Sequence, residues 1–461
     1  MIFPIKSLRA LGLALLLALP LSAAPSPALR FPQVGDPTVW NSFQDTLSYL
    51  EHWVGRDLPD WVVHSTLFQY PSRRPVYGRD GNPVLDDQGR PVTVTFQASG
   101  RAFFPPAWRL SRRPRLPLVL YPHATMLKKD EAPSRFGGHE WLFAAAAAAY
   151  YGFAVAMPDQ GGMGGDALDY HPFCHAKSLA WSTLDALPGG ARLREEDPYR
   201  APGGYDWDGR LFLLGYSEGG YAALAATREL ETRPGDYPGP FTLAGSACMA
   251  GPFDLSRTIR RAMINPLERF PHCFYLPYVI LAYHRLYGDL VDPRQVFAPA
   301  LLEYRDDGNI LQWADGSMDG LVVDSLVNRR LGVSGSGVVL RQLMNPAWVE
   351  QQLDDPVFAA SPLRKLLKEN DLVGGFRPTR PILFCQSLED RDVSVQNTIK
   401  AMTALGAELR KAGDDPDRLL AFLPIGRRRD RISHAQGAAV AIAAAFNWIY
   451  VGMPTGTVPE S

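Results

Sequence analysis

The chain has 461 residues, 46% of them hydrophobic and 21% charged, with 47 basic against 48 acidic side chains. This is globular composition, and 41 Gly with 40 Pro falls short of a low-complexity chain. A formal charge of −1 offers no general attraction to phosphate backbones or anionic lipid, so nucleic-acid binding is not expected as a main role.

The chain opens with Lys6 and Arg9, a short apolar run at 11–19, Pro20, and the small residues Ser22, Ala23 and Ala24. That pattern reads as a secretory signal peptide over 1–24 and predicts a secreted or periplasmic protein. The run is too short to span a bilayer in the mature chain. Two later charge-free stretches, 141–158 and 434–454, are Ala-rich and interrupted by Gly, as buried helices are. No integral membrane segment is expected after processing.

Residues 25 to about 60 are Pro-rich, with one amphipathic segment at 41–54. The β-type runs 62–70 and 92–101 flank two turn signals, Asp80-Gly81-Asn82-Pro83 and Asp87-Gln88-Gly89-Arg90-Pro91. A long antiparallel hairpin follows from this arrangement. Asp80, Asp86 and Asp87 lack the ligand spacing of a calcium loop and read as turn residues. Beyond Pro117 short apolar strands alternate with helices: strand 118–121, helix 141–151, strand 153–157, helix 177–187, strand 211–214, helix 219–230 and strand 241–249.

The alternation stops from about 252 to 380, where the chain turns aromatic and helical, and then resumes. Its last elements are strand 382–386, helix 395–411, strand 419–423 and helix 435–451. Short buried strands alternating with helices predict an α/β fold, a mainly parallel sheet with helices on both faces. The expected organisation is a domain built from 25–251 and 381–461 around a helical insertion at 252–380.

Cys174, Cys248, Cys273 and Cys385 are too few for a disulfide framework, and no His/Cys cluster has zinc spacing. No metal site is expected. Cys248 and Cys385 fall in strand-like runs, which leaves Cys174 and Cys273 as the candidate pair for one bridge.

Gly215-Tyr216-Ser217-Glu218-Gly219 directly follows the strand 211–214 and opens a helix. Gly-x-Ser-x-Gly in that setting is a nucleophile elbow, a strained turn that lifts the serine clear of the sheet edge. A serine hydroxyl needs a base, and the base needs an orienting acid. Downstream, the strand 382–386 leads into Ser387-Leu-Glu389-Asp390-Arg-Asp392-Val393. Asp390 is the preferred acid because Val393 three residues on suits a D-x-x-V loop; Glu389 and Asp392 stand as alternatives.

His434 is the one histidine after Asp390, and it precedes an Ala-rich helix. Ser217, Asp390 and His434 therefore form a candidate catalytic triad in the order Ser, Asp, His. A tetrahedral intermediate also needs preorganised N–H donors. Glu218, next after the nucleophile, supplies one. The loop Pro122-His123-Ala124-Thr125 supplies the other from Ala124 or Thr125, with His123 shaping the loop.

With these segments in view the chain resembles exported α/β-hydrolases of the secretory-lipase type and their bacterial esterase relatives. The resemblance rests on Tyr121-Pro-His-Ala-Thr125, Asp130-Glu-Ala-Pro133, Met157-Pro-Asp159, His171-Pro172, Gly215-Tyr-Ser-Glu-Gly-Gly-Tyr221, 246–255 and Ser433-His434. Ala124 stands where the family usually has Gly. The resemblance implies the α/β-hydrolase fold, hydrolysis of carboxylic esters without a cofactor, and a lid contributed by 252–380. The partner is then a small-molecule or lipid ester.

Within that insertion, Phe274, Tyr275, Tyr278, Val279 and Tyr283 fall at helical spacing, and Tyr275 with Tyr278 are the candidate acyl-pocket residues. Two rival readings stand beside the esterase. One is a serine peptidase on the same fold, whose amino-terminus site would draw on Asp306, Asp307 and Asp315. The other is a non-catalytic hydrolase-fold binding protein.

Overall fold

The structure is a computed structural model that describes residues 64–105, 115–138, 140–165, 168–187, 206–267, 269–333, 338–426 and 432–452. The expected signal segment 1–24 and the amphipathic stretch 41–54 lie outside the described residues. Among the described residues no helix is long and apolar enough to cross a membrane.

The strands in chain order are β1 His64–Pro75, β2 Thr93–Phe104, β3 Arg115–Leu120, β4 Ala154–Pro158, β5 Asp206–Tyr216, β6 Thr242–Met249, β7 Arg269–Phe270, β8 Val338–Val339, β9 Ile382–Ser387 and β10 Leu420–Ile425. Eight of them form one sheet in the order β1-β2-β4-β3-β5-β6-β9-β10. From β4 through β10 every neighbouring pair is parallel. The β1–β2 hairpin joins antiparallel, with His64 opposite Phe104 and Pro75 opposite Thr93. The hairpin outruns its expected length because β1 is the sheet's edge. There Pro71 and Pro75 remain in the strand without costing a bond to an outer neighbour.

Helices follow the strands in alternation: α1 Glu140–Tyr151, α2 Ala176–Asp185, α3 Glu218–Thr232, then α4 Leu255–Ile264, α5 Tyr275–Tyr287, α6 Gly320–Leu331 and α7 Pro362–Glu369 between β6 and β9, and finally α8 Gln396–Lys411 and α9 His434–Asn447. Side chains alternate across the sheet as period-2 geometry requires. Val119, Phe212, Leu214 and Leu383 face a core shared with α1 and α9. Leu118, Leu120, Leu213 and Phe384 face the opposite core, which holds α2 and α3. That second core runs without interruption into the 252–380 segment, taking in Tyr278, Val323 and Leu363.

Parallel strands place all their C-terminal ends on one edge. The loop after β3, the turn after β5 and the loop after β9 converge there, and the site is assembled from them.

The four cysteines are buried and free. The expected Cys174–Cys273 bridge is absent: the Cys273 thiol donates to Asp324 Oδ1 at 3.1 Å, in the pocket where Asp324 also receives the N–H groups of Cys273 and Phe274. Burial pushes the thiols of both Cys174 and Cys273 well above their usual range.

Candidate active site

Ser217 joins β5 to α3 with φ 56° and ψ −123°, a conformation strained for any residue with a Cβ. The close crossing around it explains the flanking glycines. A Cβ on Gly215 would lie 2.1 Å from Gly219 O, and one on Gly219 would lie 2.2 Å from Pro122 O. Ser217 N–H donates to Met249 O at 2.8 Å, tying the turn to β6.

His434 Nε2 lies 2.8 Å from Ser217 Oγ, and its Nδ1 lies 2.6 Å from Asp390 Oδ2. A carboxylate only accepts, so Nδ1 donates to Asp390 and Nε2 is left to accept from the Ser217 hydroxyl. All three side chains are buried. His434 is the first residue of α9, held by the Ser433–Gln436 capping box and by Tyr216, whose hydroxyl donates to His434 O at 2.6 Å.

The loop after β9 shows why its sequence takes the form it does. Asp390 Oδ1 accepts the N–H groups of Asp392 at 3.0 Å and Val393 at 2.9 Å, which aims Oδ2 at the imidazole. Among the described residues neither alternative acid is hydrogen-bonded to His434. Glu389 N–H caps onto Ser387 Oγ, while Asp392 Oδ1 is buried with no partner among the described residues. Burial raises the Asp392 carboxyl, against the opposing pull of His434 and His272.

Of the expected oxyanion donors, Ala124 is spent. Its N–H donates to Glu140 Oε2 at 2.5 Å, while Tyr121 donates to Glu140 Oε1 at 2.8 Å. Burial raises the Glu140 carboxyl, and the Ala124 bond works against that rise. Glu218, first in α3, and Thr125, on the wall of the cavity beside Ser217, remain as the candidate donors. His123 does shape the loop: its ring nitrogens meet Ala124 O at 2.6 Å and Asp159 O at 2.8 Å.

The Glu218 side chain is a feature that the sequence reading passed over. Its Oε1 lies 2.8 Å from His171 Nε2, and His171 Nδ1 lies 2.7 Å from Gly161 O. Because the carbonyl takes the Nδ1 proton, one further proton is held between His171 and Glu218. The pair anchors the side chain of the residue that follows Ser217. Its signal in the sequence is the His171-Pro172 pair.

Ser217 opens into a cavity of about 810 Å³. Tyr275, Leu276 and Val279 of α5 line it, with Leu255 and Arg257 of α4 opposite. Tyr278 does not line it, which corrects its expected pocket role. It turns into the core, stacked on Phe173 at 4.7 Å, with its hydroxyl donating to Met126 O at 3.2 Å. The acids expected to serve a peptidase are also absent from the wall. Asp307 is held by Arg330 at 2.5 Å, and Asp315 lies in a separate groove with Lys128 and Lys129. Among the described residues no three His, Cys, Asp or Glu side chains are grouped to hold a metal ion.

No protein-family model matches the chain, and no curated protein matches its sequence. Solved structures do match. A Legionella pneumophila protein described as a "putative hydrolase" aligns with TM-score 0.63 and 20% identity over 92% of this chain and 96% of its own. The rice cell wall degrading esterase LipA of Xanthomonas oryzae aligns with TM-score 0.62 and 20% identity, over 89% and 93%. Closed Candida antarctica lipase A aligns with TM-score 0.51 and 13% identity, over 84% and 83%. At these identities the likeness is one of architecture, and with the strand order and the N-terminal hairpin it establishes that this chain has the α/β-hydrolase fold.

Proposed function

We propose that this protein is an exported serine hydrolase that cleaves carboxylic esters through an acyl-enzyme. The observation that carries the reading is the hydrogen-bonded series Asp390–His434–Ser217 at the elbow, buried and opening onto the 810 Å³ cavity. Export rests on the N-terminal pattern at 1–24.

In this mechanism Ser217 Oγ attacks the ester carbonyl while His434 Nε2 takes its proton. Asp390 holds the tautomer and stabilises the imidazolium. The carbonyl oxygen gains the negative charge and is met by the N–H groups of Glu218 and Thr125. Collapse expels the alcohol, which leaves with the proton from His434 Nε2. Water then repeats the sequence on the acyl-enzyme, releasing the acid and restoring Ser217. No metal or organic cofactor enters these steps. The 252–380 segment, standing over the strand ends, builds the pocket for the acyl or alcohol group. The esterase and lipase among the structural neighbours favour ester substrates over other acyl compounds.

A fluorophosphonate probe tests the class directly. Labelling of the parent and its loss in Ser217→Ala supports the hydrolase; an unlabelled parent means a binding protein. Rates on p-nitrophenyl esters, with an aminopeptidase substrate alongside, separate esterase from peptidase. Turnover of the peptidase substrate alone would reverse the assignment.

A further inference from the structure

The cavity that holds Ser217 does not end at α4. Arg257, Arg260, Arg261 and Ile264 fall at i, i+3, i+4 and i+7, so they share one helical face. Arg257 and Arg261 line both the Ser217 cavity and a second cleft of about 510 Å³ behind it. That cleft is completed by Arg260, Arg364 of α7 and Phe358, and among the described residues no Asp or Glu lines it.

The state of the four guanidinium groups is informative. Arg260 is fixed in place: its Nε and Nη2 donate to Gln352 O at 3.2 and 2.7 Å, and its head lies 4.4 Å over the Phe358 ring. Arg364 packs on the same ring at 5.7 Å, and its Nη1 is buried without a partner among the described residues. Arg257 and Arg261 are exposed and have no carboxylate partner there. Asp371, whose carboxyl feels the Arg364 charge, accepts from the Ser256 N–H at 2.9 Å and its hydroxyl at 2.5 Å.

The charges of Arg257, Arg261 and Arg364 gathered in one cleft repel one another, and a buried N–H without an acceptor loses its hydration. A bound anion relieves both, and the planar guanidinium fork suits carboxylate or phosphate oxygens. We propose that this cleft binds an anionic group, carboxylate or phosphate, carried by the ester substrate at the end remote from the scissile bond. Arg257 and Arg261 would then span the passage between the reaction centre and that group. This rests on the ester-hydrolase reading and narrows it to esters with a second, charged end.

The test has a binding arm and a kinetic arm. In Ser217→Ala protein, inorganic phosphate and glutarate are titrated calorimetrically at low salt, with and without Arg257→Gln, Arg261→Gln and Arg364→Gln together. At least a tenfold loss of affinity for one of the anions is expected in the triple variant, at an unchanged thermal midpoint.

In active protein, p-nitrophenyl hydrogen suberate and its phosphonate-ended counterpart are compared with neutral p-nitrophenyl octanoate. A charged ester should show kcat/KM at least tenfold above the neutral one. That advantage should shrink with added NaCl and fall in the triple variant, and it should fall likewise in Arg364→Gln alone, a residue outside the Ser217 cavity, with the octanoate rate of Arg364→Gln held within twofold of the parent's. The charged end that gains more names the anion. Charged esters no better than octanoate, or all esters falling by one factor, would overturn the proposal. If no ester of any kind turned over while phosphate binding still required the arginines, the ester reading would fall and the anion cleft would stand.

Discussion

The two faces of the sheet are built from different materials. On one, α1 and α9 pack on each other and on the sheet through Ala144, Ala145, Ala147, Ala148, Ala441, Ala444 and Ala445. Small side chains let these helices approach closely, and their first residues, Glu140 and His434, reach the site edge. On the other, Phe, Leu and Tyr side chains fill a wide core that continues into the 252–380 segment. The narrow face carries His434 to the Ser217 elbow. The wide face shapes space for a substrate, and because it shares one core with the insertion, that segment is packed down as part of the body.

The largest effects should fall where both faces meet. Ser217→Ala and His434→Ala should each lower ester hydrolysis by about 10⁴-fold or more, since triad members act as a unit. Asp390→Asn should cost about 10⁴-fold by losing the His tautomer. Thermal unfolding of each should stay near the parent's. If Asp392→Asn were damaging and Asp390→Asn silent in the same rate assay, the acid would be misassigned.

Core substitutions should separate the faces by sign of volume change. Phe384→Ala on the wide face leaves a cavity and should cost about 3–5 kcal/mol. Ala445→Leu on the narrow face overpacks and should cost about 1–3 kcal/mol. Denaturant midpoints measure both. A tolerated Ala445→Leu would mean that the helices have room to spare.

Acid should weaken the wide face first. His175 of that core is buried, bound to Tyr77 Oη at 2.8 Å, and burial lowers its pKa from 6.5 to about 3. The unfolded chain binds this proton below 6.5 and the folded chain does not. Stability is therefore full above pH 6.5 and falls by about 1.4 kcal/mol per pH unit toward pH 3. Asp185, raised by burial to about 6, works in the opposite sense, favouring the folded state as pH falls from 6 toward 3.8. Unfolding free energies from pH 7 to 4 in the parent and in His175→Asn should diverge, the parent losing stability relative to the variant by about 1.4 kcal/mol per pH unit below 6.5.

The smallest effect concerns α5. Tyr275→Ala should shift the preferred acyl length in graded steps of about 1–3 kcal/mol per methylene group and spare acetate esters. Tyr278→Ala should lower stability without shifting that preference. Matching shifts in a chain-length series would place both rings in the pocket.

These contrasts also mark what the sequence could and could not convey. The strand–helix alternation is local patterning, and the elbow advertises itself because only glycine fits where β5 meets α3. Asp390 was readable because its own loop supplies the N–H groups that aim it. The engagement of Ala124 was not, since its acceptor arrives from the start of another helix. Helical spacing grouped the α5 aromatics but left open the rotation of the helix, so Tyr275 and Tyr278 were treated alike. The arginine cleft needs α4 beside α7, a meeting between segments about a hundred residues apart that no local pattern encodes.

The backbone of Ser217 has a consequence for the protein's durability. A non-glycine residue at φ 56° and ψ −123° holds of order 1–3 kcal/mol of conformational energy that the rest of the fold must offset. Alanine at that position inherits the same burden, whereas glycine escapes it. The Ser217→Gly protein should therefore be dead as a catalyst and yet outlast its parent on heating. On this account the longevity of the molecule is set partly at its own strained serine.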